Sequence, residues 1–232
     1  MTQESLGASV KTLLVDYDNT LHDSDAKFFA KWDGILGLSG QQLWQLYIGV
    51  HREIVHRLYP ERHDDADFQC RLIFERLGRP YDRTVAERIV RGYREAEEAC
   101  WKDPTPFPDA IAFLDTVKAR GYQLCLATGE HAQEKAQAMD RLGSKQYFDY
   151  IFEEDRVGRI KADPEYYRRV LAACQAAPEE ATMVGDSLPN DIIPAQAVGI
   201  TTIWVNRQRE DASPRTRPDH TVHSLTEALK YL

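Results

Sequence analysis

The sequence predicts an α/β fold: a doubly wound parallel sheet interrupted by a large helical insertion. Three observations carry this. Short apolar runs such as "LLV", "LCLA", "TMVG" and "TTIWV" alternate with amphipathic segments, the pattern of strands buried on both faces between crossover helices. Between roughly Lys27 and Cys100 the strand-type runs stop, and helical periodicity takes over. A chain of 232 residues, 43% hydrophobic, suits one such core plus one insertion rather than several independent domains.

In chain order, "KTLLVDYDNTLHD" opens with a strand that runs into acids. The insertion reads as four helical stretches: "FFAKWDGIL", "GQQLWQLYIGVHREIVHRLY", "DADFQCRLIFERLG" and "YDRTVAERIVRGYREAEEACW". In the second, Leu43, Leu46, Tyr47, Val50 and Ile54 recur at helical spacing, and Pro60, Gly78 and Pro80 punctuate the whole. "KDPTPFPDA" is a stiff connector. The helix "DAIAFLDTVKARG" ends at Gly121 and leads into the strand "YQLCLAT". "HAQEKAQAMDRLG" is a helix closed by Gly143, "FDYIF" a strand, "EEDRVGRI" a turn, and "DPEYYRRVLAACQ" a helix with Pro164 in its first turn. The strand "ATMVGD", helix "LPNDIIPAQAVG", strand "ITTIWV", a surface loop over 206–218 and the helix "SLTEALKYL" finish the chain. The expected domains are an α/β core of residues 1–21 and 105–232 and a helical domain of residues 22–104.

A formal net charge of −8, with basic residues dispersed, argues against nucleic acid and anionic membrane as partners. No apolar run is long enough to span a bilayer, and "MTQESLGASV" lacks the cationic start and apolar stretch of a secretory signal. Cys70, Cys100, Cys125 and Cys174 show no C-x-x-C spacing and read as buried or incidental thiols of a reducing compartment. The expectation is a cytoplasmic protein, monomer or homodimer.

In a doubly wound sheet, ligands gather beyond the C-terminal ends of the strands. The first strand ends at Asp16, Asp18 and Thr20, and the second at Thr128 and Gly129. Lys161 precedes a helix, and the fourth strand ends at Asp186, with Asn190 and Asp191 close behind. Carboxylates gathered on one rim are costly unless a positive group neutralises them. A hard divalent ion such as Mg²⁺ does so with oxygen ligands. The hydroxyl, the lysine and backbone amides at a helix head, which "TGEH" would supply, point further to a phosphoryl group.

These four fragments, in this order, resemble the haloacid dehalogenase (HAD) superfamily of phosphohydrolases, with its D-x-D-x-T, Ser/Thr, Lys and G-D-x-x-x-D motifs and an inserted helical cap. The resemblance covers nearly the whole chain. It implies Asp16 as nucleophile forming an aspartyl-phosphate and Asp18 as the acid that protonates the leaving alcohol and then activates water. It implies Mg²⁺ held by the side chains of Asp16 and Asp186 and the backbone carbonyl of Asp18, with Asp191 acting through water or orienting Lys161. Thr128 and the Gly129 N–H would bind phosphate oxygens, Lys161 would balance charge, and Thr20 would fix the first loop. The implied activity is hydrolysis of a small phosphorylated metabolite, with cap residues such as Lys27, Arg52 and Arg57 reading the leaving group.

Departures from the pattern are visible. "TGE" stands where T-N-G is usual, and Glu130 should face away from phosphate. "KAD" replaces K-P-D, and Asn19 replaces a glycine in a position where a left-handed backbone is tolerated. His51, His56 and His63 do not stand in the i, i+4 relation of a helical metal site and read as solvated. Phe28, Phe29, Trp32, Trp44 and Tyr47 read as packing of the helical domain. His22, just past the first motif, is a candidate for touching the leaving group. A phosphomutase of the same architecture is the main alternative. A dehalogenase is disfavoured by Asp18, a receiver domain by acids lying on the first strand, and a silent phosphate-binding protein by the intact acid set.

Overall fold

The computed structural model describes residues 11–62, 65–210 and 217–232. The opening "MTQESLGASV", His63 and part of the expected 206–218 loop lie outside them. The chain divides into two compact units: one runs through His22 and from Pro106 to Leu232, and the other is Asp23–Thr105.

The second unit is helical. It holds α1 (Ser24–Trp32), α2 (Gly40–Val50), α3 (His56–Leu58), α4 (Ala66–Arg76) and α5 (Arg83–Lys102). Side-chain caps fix the starts: the Asp23, Asp65 and Asp82 carboxylates accept from Ala26, Phe68 and Val85 N–H groups. Ser39 and Gln42 form a reciprocal capping box before α2. Around these helices Phe28, Trp32, Trp44, Tyr47 and Tyr93 pack as one aromatic cluster, with Phe28 stacked on Trp44 at 4.2 Å. His51 stacks on Tyr47, and its Nδ1 lies 3.1 Å from Gln69 Oε1, which makes it part of this packing.

The first unit begins with β1 (Thr12–Val15) and resumes with α6 (Ala110–Ala119), β2 (Gln123–Ala127), α7 (Ala132–Gly143), β3 (Tyr150–Phe152), α8 (Glu154–Val157), α9 (Pro164–Cys174), β4 (Ala181–Gly185), α10 (Ile193–Gln196), β5 (Thr201–Val205), β6 (His220–Val222) and α11 (Leu225–Ala228). The described strands form one parallel sheet in the order β3-β2-β1-β4-β5-β6. β1, wholly buried, sits centrally, and the winding reverses between it and β4. Register places Val15 beside Leu126 and Val184, so the first, second and fourth strand tips come level at that switch point. Tyr166, Tyr167, Val170, Leu171 and Met183 build a core layer against Leu14 and Cys125. The four cysteines are free and buried, with Cys125 Sγ 3.4 Å from Cys174 Sγ.

Gly121 ends α6 with φ +80°, as its position predicts. Gly143 does not end α7: the left-handed cap is Ser144, and a Cβ at Gly143 would lie 2.5 Å from Tyr147 Cζ, so that glycine serves close packing instead. "EEDRVGRI" contains the helical turn α8, and a sixth strand, β6, follows the loop after β5. Residues 188–192 wind as a π-type turn before α10, in place of one continuous helix. Among the described residues no helix is long and apolar enough to cross a membrane.

Candidate active site

Two ion-paired groups form at the strand tips. In the first, Lys161 stands between two acids. Its Nζ lies 2.6 Å from Asp16 Oδ1 and 2.6 Å from Asp191 Oδ1, and donates to the Ala127 carbonyl at 2.8 Å. All three side chains are buried. Burial pushes the Asp16 carboxyl up to about 7; Lys161 pulls it back, while Asp191 and Asp18 add to the rise. Burial would lower Lys161, but Asp16 and Asp191 outweigh it and hold the ammonium well above its usual range. One lysine does not neutralise this cluster.

The carboxylates of Asp16, Asp186 and Asp191 each offer an oxygen within 4.8 Å of the others. An all-oxygen donor set with an excess of negative charge fits a hard divalent cation such as Mg²⁺. Gly185 makes the arrangement possible, because a Cβ there would lie 2.5 Å from Asp191 Cγ. The Ser187 N–H donates to Asp191 Oδ2 at 3.0 Å, and Trp204 Nε1 to the Asp186 carbonyl at 2.7 Å.

In the second group Lys135 Nζ lies 2.6 Å from Asp18 Oδ2 and 3.3 Å from Thr128 Oγ1, and Thr128 Oγ1 lies 3.5 Å from the same Asp18 oxygen. The β1 loop that carries Asp18 is tightly wound. Asn19 adopts φ +57°, its N–H donates to the His22 carbonyl, and the N–H groups of Leu21 and His22 donate to the Tyr17 carbonyl. Thr20 Oγ1 donates to Asp186 Oδ1 at 3.4 Å, tying the first tip to the fourth. His22 is fully buried and stacked on Tyr17, which removes it from the positions open to a leaving group.

The expected anion-binding helix head is modified. α7 begins at Ala132, after His131 in a left-handed conformation, and the Ala132 N–H donates to Glu153 Oε2 at 3.2 Å. Glu153 thus supplies the N-terminal partner that the local sequence lacks. Thr128 N–H donates to Phe152 within the sheet edge, while the Gly129 N–H has no protein acceptor among the described residues. Glu130 is exposed and lies before the helix rather than in its first turn.

Asp16, Asp18, Thr20, Thr128, Gly129, Lys161, Asp186 and Asp191 therefore all lie at one end of the sheet. Two contributors were missed by the sequence reading. Glu154 fixes Lys161 by accepting its backbone N–H at 2.8 Å, and donates its own to the Gly129 carbonyl. Lys135 falls on the buried stripe of α7 with Ala132, Ala136 and Met139, and a lysine on that stripe was the available signal. In the helical unit Lys27 pairs with Asp103 and Arg57 is exposed.

Fold and rim together define an α/β protein with an acid-lined, lysine-bridged site at its strand tips. Residues 10–199 match the haloacid dehalogenase-like hydrolase family, and the chain belongs to it. A phosphoserine phosphatase of Thermus thermophilus is 33% identical over 139 residues, covering 59% of this chain and 56% of that enzyme. The chain thus matches little more than half of that relative. A glyceraldehyde 3-phosphate phosphatase of Pyrococcus furiosus is 29% identical over 227 residues, covering 96% of this chain and 93% of that one. The HAD-hydrolase YfnB of Bacillus subtilis, in a crystal structure bound to magnesium, shares the fold with a TM-score of 0.74 at 20% identity, over 97% of this chain and 99% of that one.

Proposed function

We propose that this chain is a Mg²⁺-dependent phosphatase that hydrolyses a small phosphomonoester through an aspartyl-phosphate on Asp16. The observation that carries the reading is the lysine-bridged acid cluster, with Asp16 2.6 Å from Lys161 and three carboxylates drawn within 4.8 Å. The phosphatase names of the relatives from Thermus and Pyrococcus support a small phosphorylated substrate.

An Asp16 oxygen attacks phosphorus as the P–O bond to the leaving alcohol breaks, and Asp18 gives that alcohol its proton. Asp18 then takes a proton from the water that attacks the aspartyl-phosphate, releasing inorganic phosphate and regenerating the Asp16 carboxylate. Thr128 Oγ1 and the Gly129 N–H hold the phosphoryl oxygens, and Lys161 offsets their charge. Asp16 and Asp186, with the Asp18 carbonyl and Asp191 beside them, would hold the Mg²⁺, which when bound supplies charge neutralisation.

Asp16→Asn should abolish phosphate release from p-nitrophenyl phosphate with the melting transition preserved, and a panel of phosphorylated metabolites with and without Mg²⁺ should identify the substrate. Turnover that survives Asp16→Asn would end the proposal.

A further inference from the structure

Lys135 has no part in the mechanism above, yet its ammonium lies 2.6 Å from Asp18 Oδ2. Its side chain is only 8% exposed, whereas that of Asp18 is 39% exposed. The lysine's position is fixed independently of the acid. It emerges from the buried stripe of α7, and its Nζ lies 5.5 Å from the centroid of the buried Tyr17 ring. From there it reaches Asp18 Oδ2 at 2.6 Å and Thr128 Oγ1 at 3.3 Å. An anchored ammonium and a half-open carboxylate are unequal partners.

The geometry points to Lys135 as a positioning residue that, by its bond to Oδ2, holds the Asp18 carboxyl group and the Thr128 hydroxyl in register, so that the other carboxyl oxygen carries the proton delivered to the leaving oxygen. This rests on the phosphatase reading and deepens it. Lys161 serves the nucleophile and Lys135 serves the acid, one ammonium to each half of the site. Lys135 touches no reacting atom and acts through Asp18.

Leaving groups of different basicity separate this role from a purely structural one. An alkoxide needs the proton that Asp18 delivers, whereas p-nitrophenolate departs without it, and kcat/KM reports the steps through that departure. Lys135→Met should lower kcat/KM for an alkyl ester such as glycerol phosphate about 10- to 100-fold more than for p-nitrophenyl phosphate. Lys135→Arg, which keeps a cation of similar reach, should restore most of the difference. Lys135→Gln should show the same selective loss, and it carries the test if the methionine variant does not fold. Equal losses on both esters, or no loss on either, would assign Lys135 to phosphate binding or packing and overturn the inference while leaving the phosphatase reading intact. A wild-type protein inactive on both esters would overturn the phosphatase reading and this inference with it.

Discussion

Gly185→Ala adds one methyl group at the end of β4 and tests whether Asp191 sits where the site requires it. A Cβ at Gly185 would lie 2.5 Å from Asp191 Cγ and 2.7 Å from its Cβ, and it would press on Oδ2. Asp191 has no room to yield. It is fully buried, its Oδ1 is 2.6 Å from Lys161 Nζ, and its Oδ2 accepts the Ser187 N–H at 3.0 Å. If β4 and Asp191 merely shift apart, overpacking of this kind costs about 1–3 kcal/mol. If the ion pair breaks and strands Lys161, the cost rises to about 3–5 kcal/mol. At roughly 2–4 °C per kcal/mol for a chain of this length, the melting temperature should fall by about 2 °C at least and about 20 °C at most. Differential scanning calorimetry suits the measurement because it resolves separate transitions where two units unfold apart. Gly49→Ala is the control: in α2 its Cβ meets nothing within 4 Å, so helix propensity alone predicts a gain of up to about 1 kcal/mol. A Gly185→Ala protein that melts with the wild type, beside a control that behaves as stated, would refute the packing of Asp191 against Gly185.

Two more outcomes follow from the same cluster. Lys161→Met leaves Asp16 and Asp191 facing each other without a cation; phosphate release should fall at least about 100-fold, and denaturant unfolding should report a loss of about 3–5 kcal/mol. Asp16, raised from the ordinary 3.8 to about 7, keeps its proton in the fold at pH values where the unfolded chain has lost it. Its contribution to stability therefore declines as pH rises from about 4 to about 7 and is flat above that. With a chelator present, the wild-type melting temperature minus that of Asp16→Asn should fall over this window, and millimolar Mg²⁺ should reverse the fall; a constant difference would contradict the buried, under-neutralised state of Asp16.

Legibility in the sequence followed how local the determinants are. Strands β1, β2, β4 and β5 were readable because each is a short apolar run with a clear boundary, and their acid or hydroxyl ends marked the rim. β6 was not, since His220–Val222 earns its place by pairing with β5 rather than by its own composition. Gly143 reads as a helix stop because the glycine itself is visible, while the Tyr147 ring that requires it is a tertiary neighbour. The partner of the α7 N-terminus is hidden for the same reason: Glu153 comes from beyond β3. Lys135 is not legible by itself, because lysine on a helix is ordinarily a surface residue, and only its coincidence with Ala132, Ala136 and Met139 on one stripe argues otherwise.

The arrangement explains how a central strand can end on acids. Lys161 is shared between Asp16 and Asp191, and Lys135 takes Asp18, so two ammonium groups face four carboxylates once Asp186 is counted. The residual negative charge gathers around Asp16, Asp186 and Asp191, the set with oxygens within 4.8 Å, and desolvation there pushes the Asp16 carboxyl up to about 7. A protonated carboxyl is a poor nucleophile. On the proposed mechanism, cation binding and readiness of Asp16 for attack would be one electrostatic requirement, placed where the winding of the sheet reverses. The second lysine lies apart from that demand, 2.6 Å from Asp18, the acid to which the proposed mechanism gives the proton transfers.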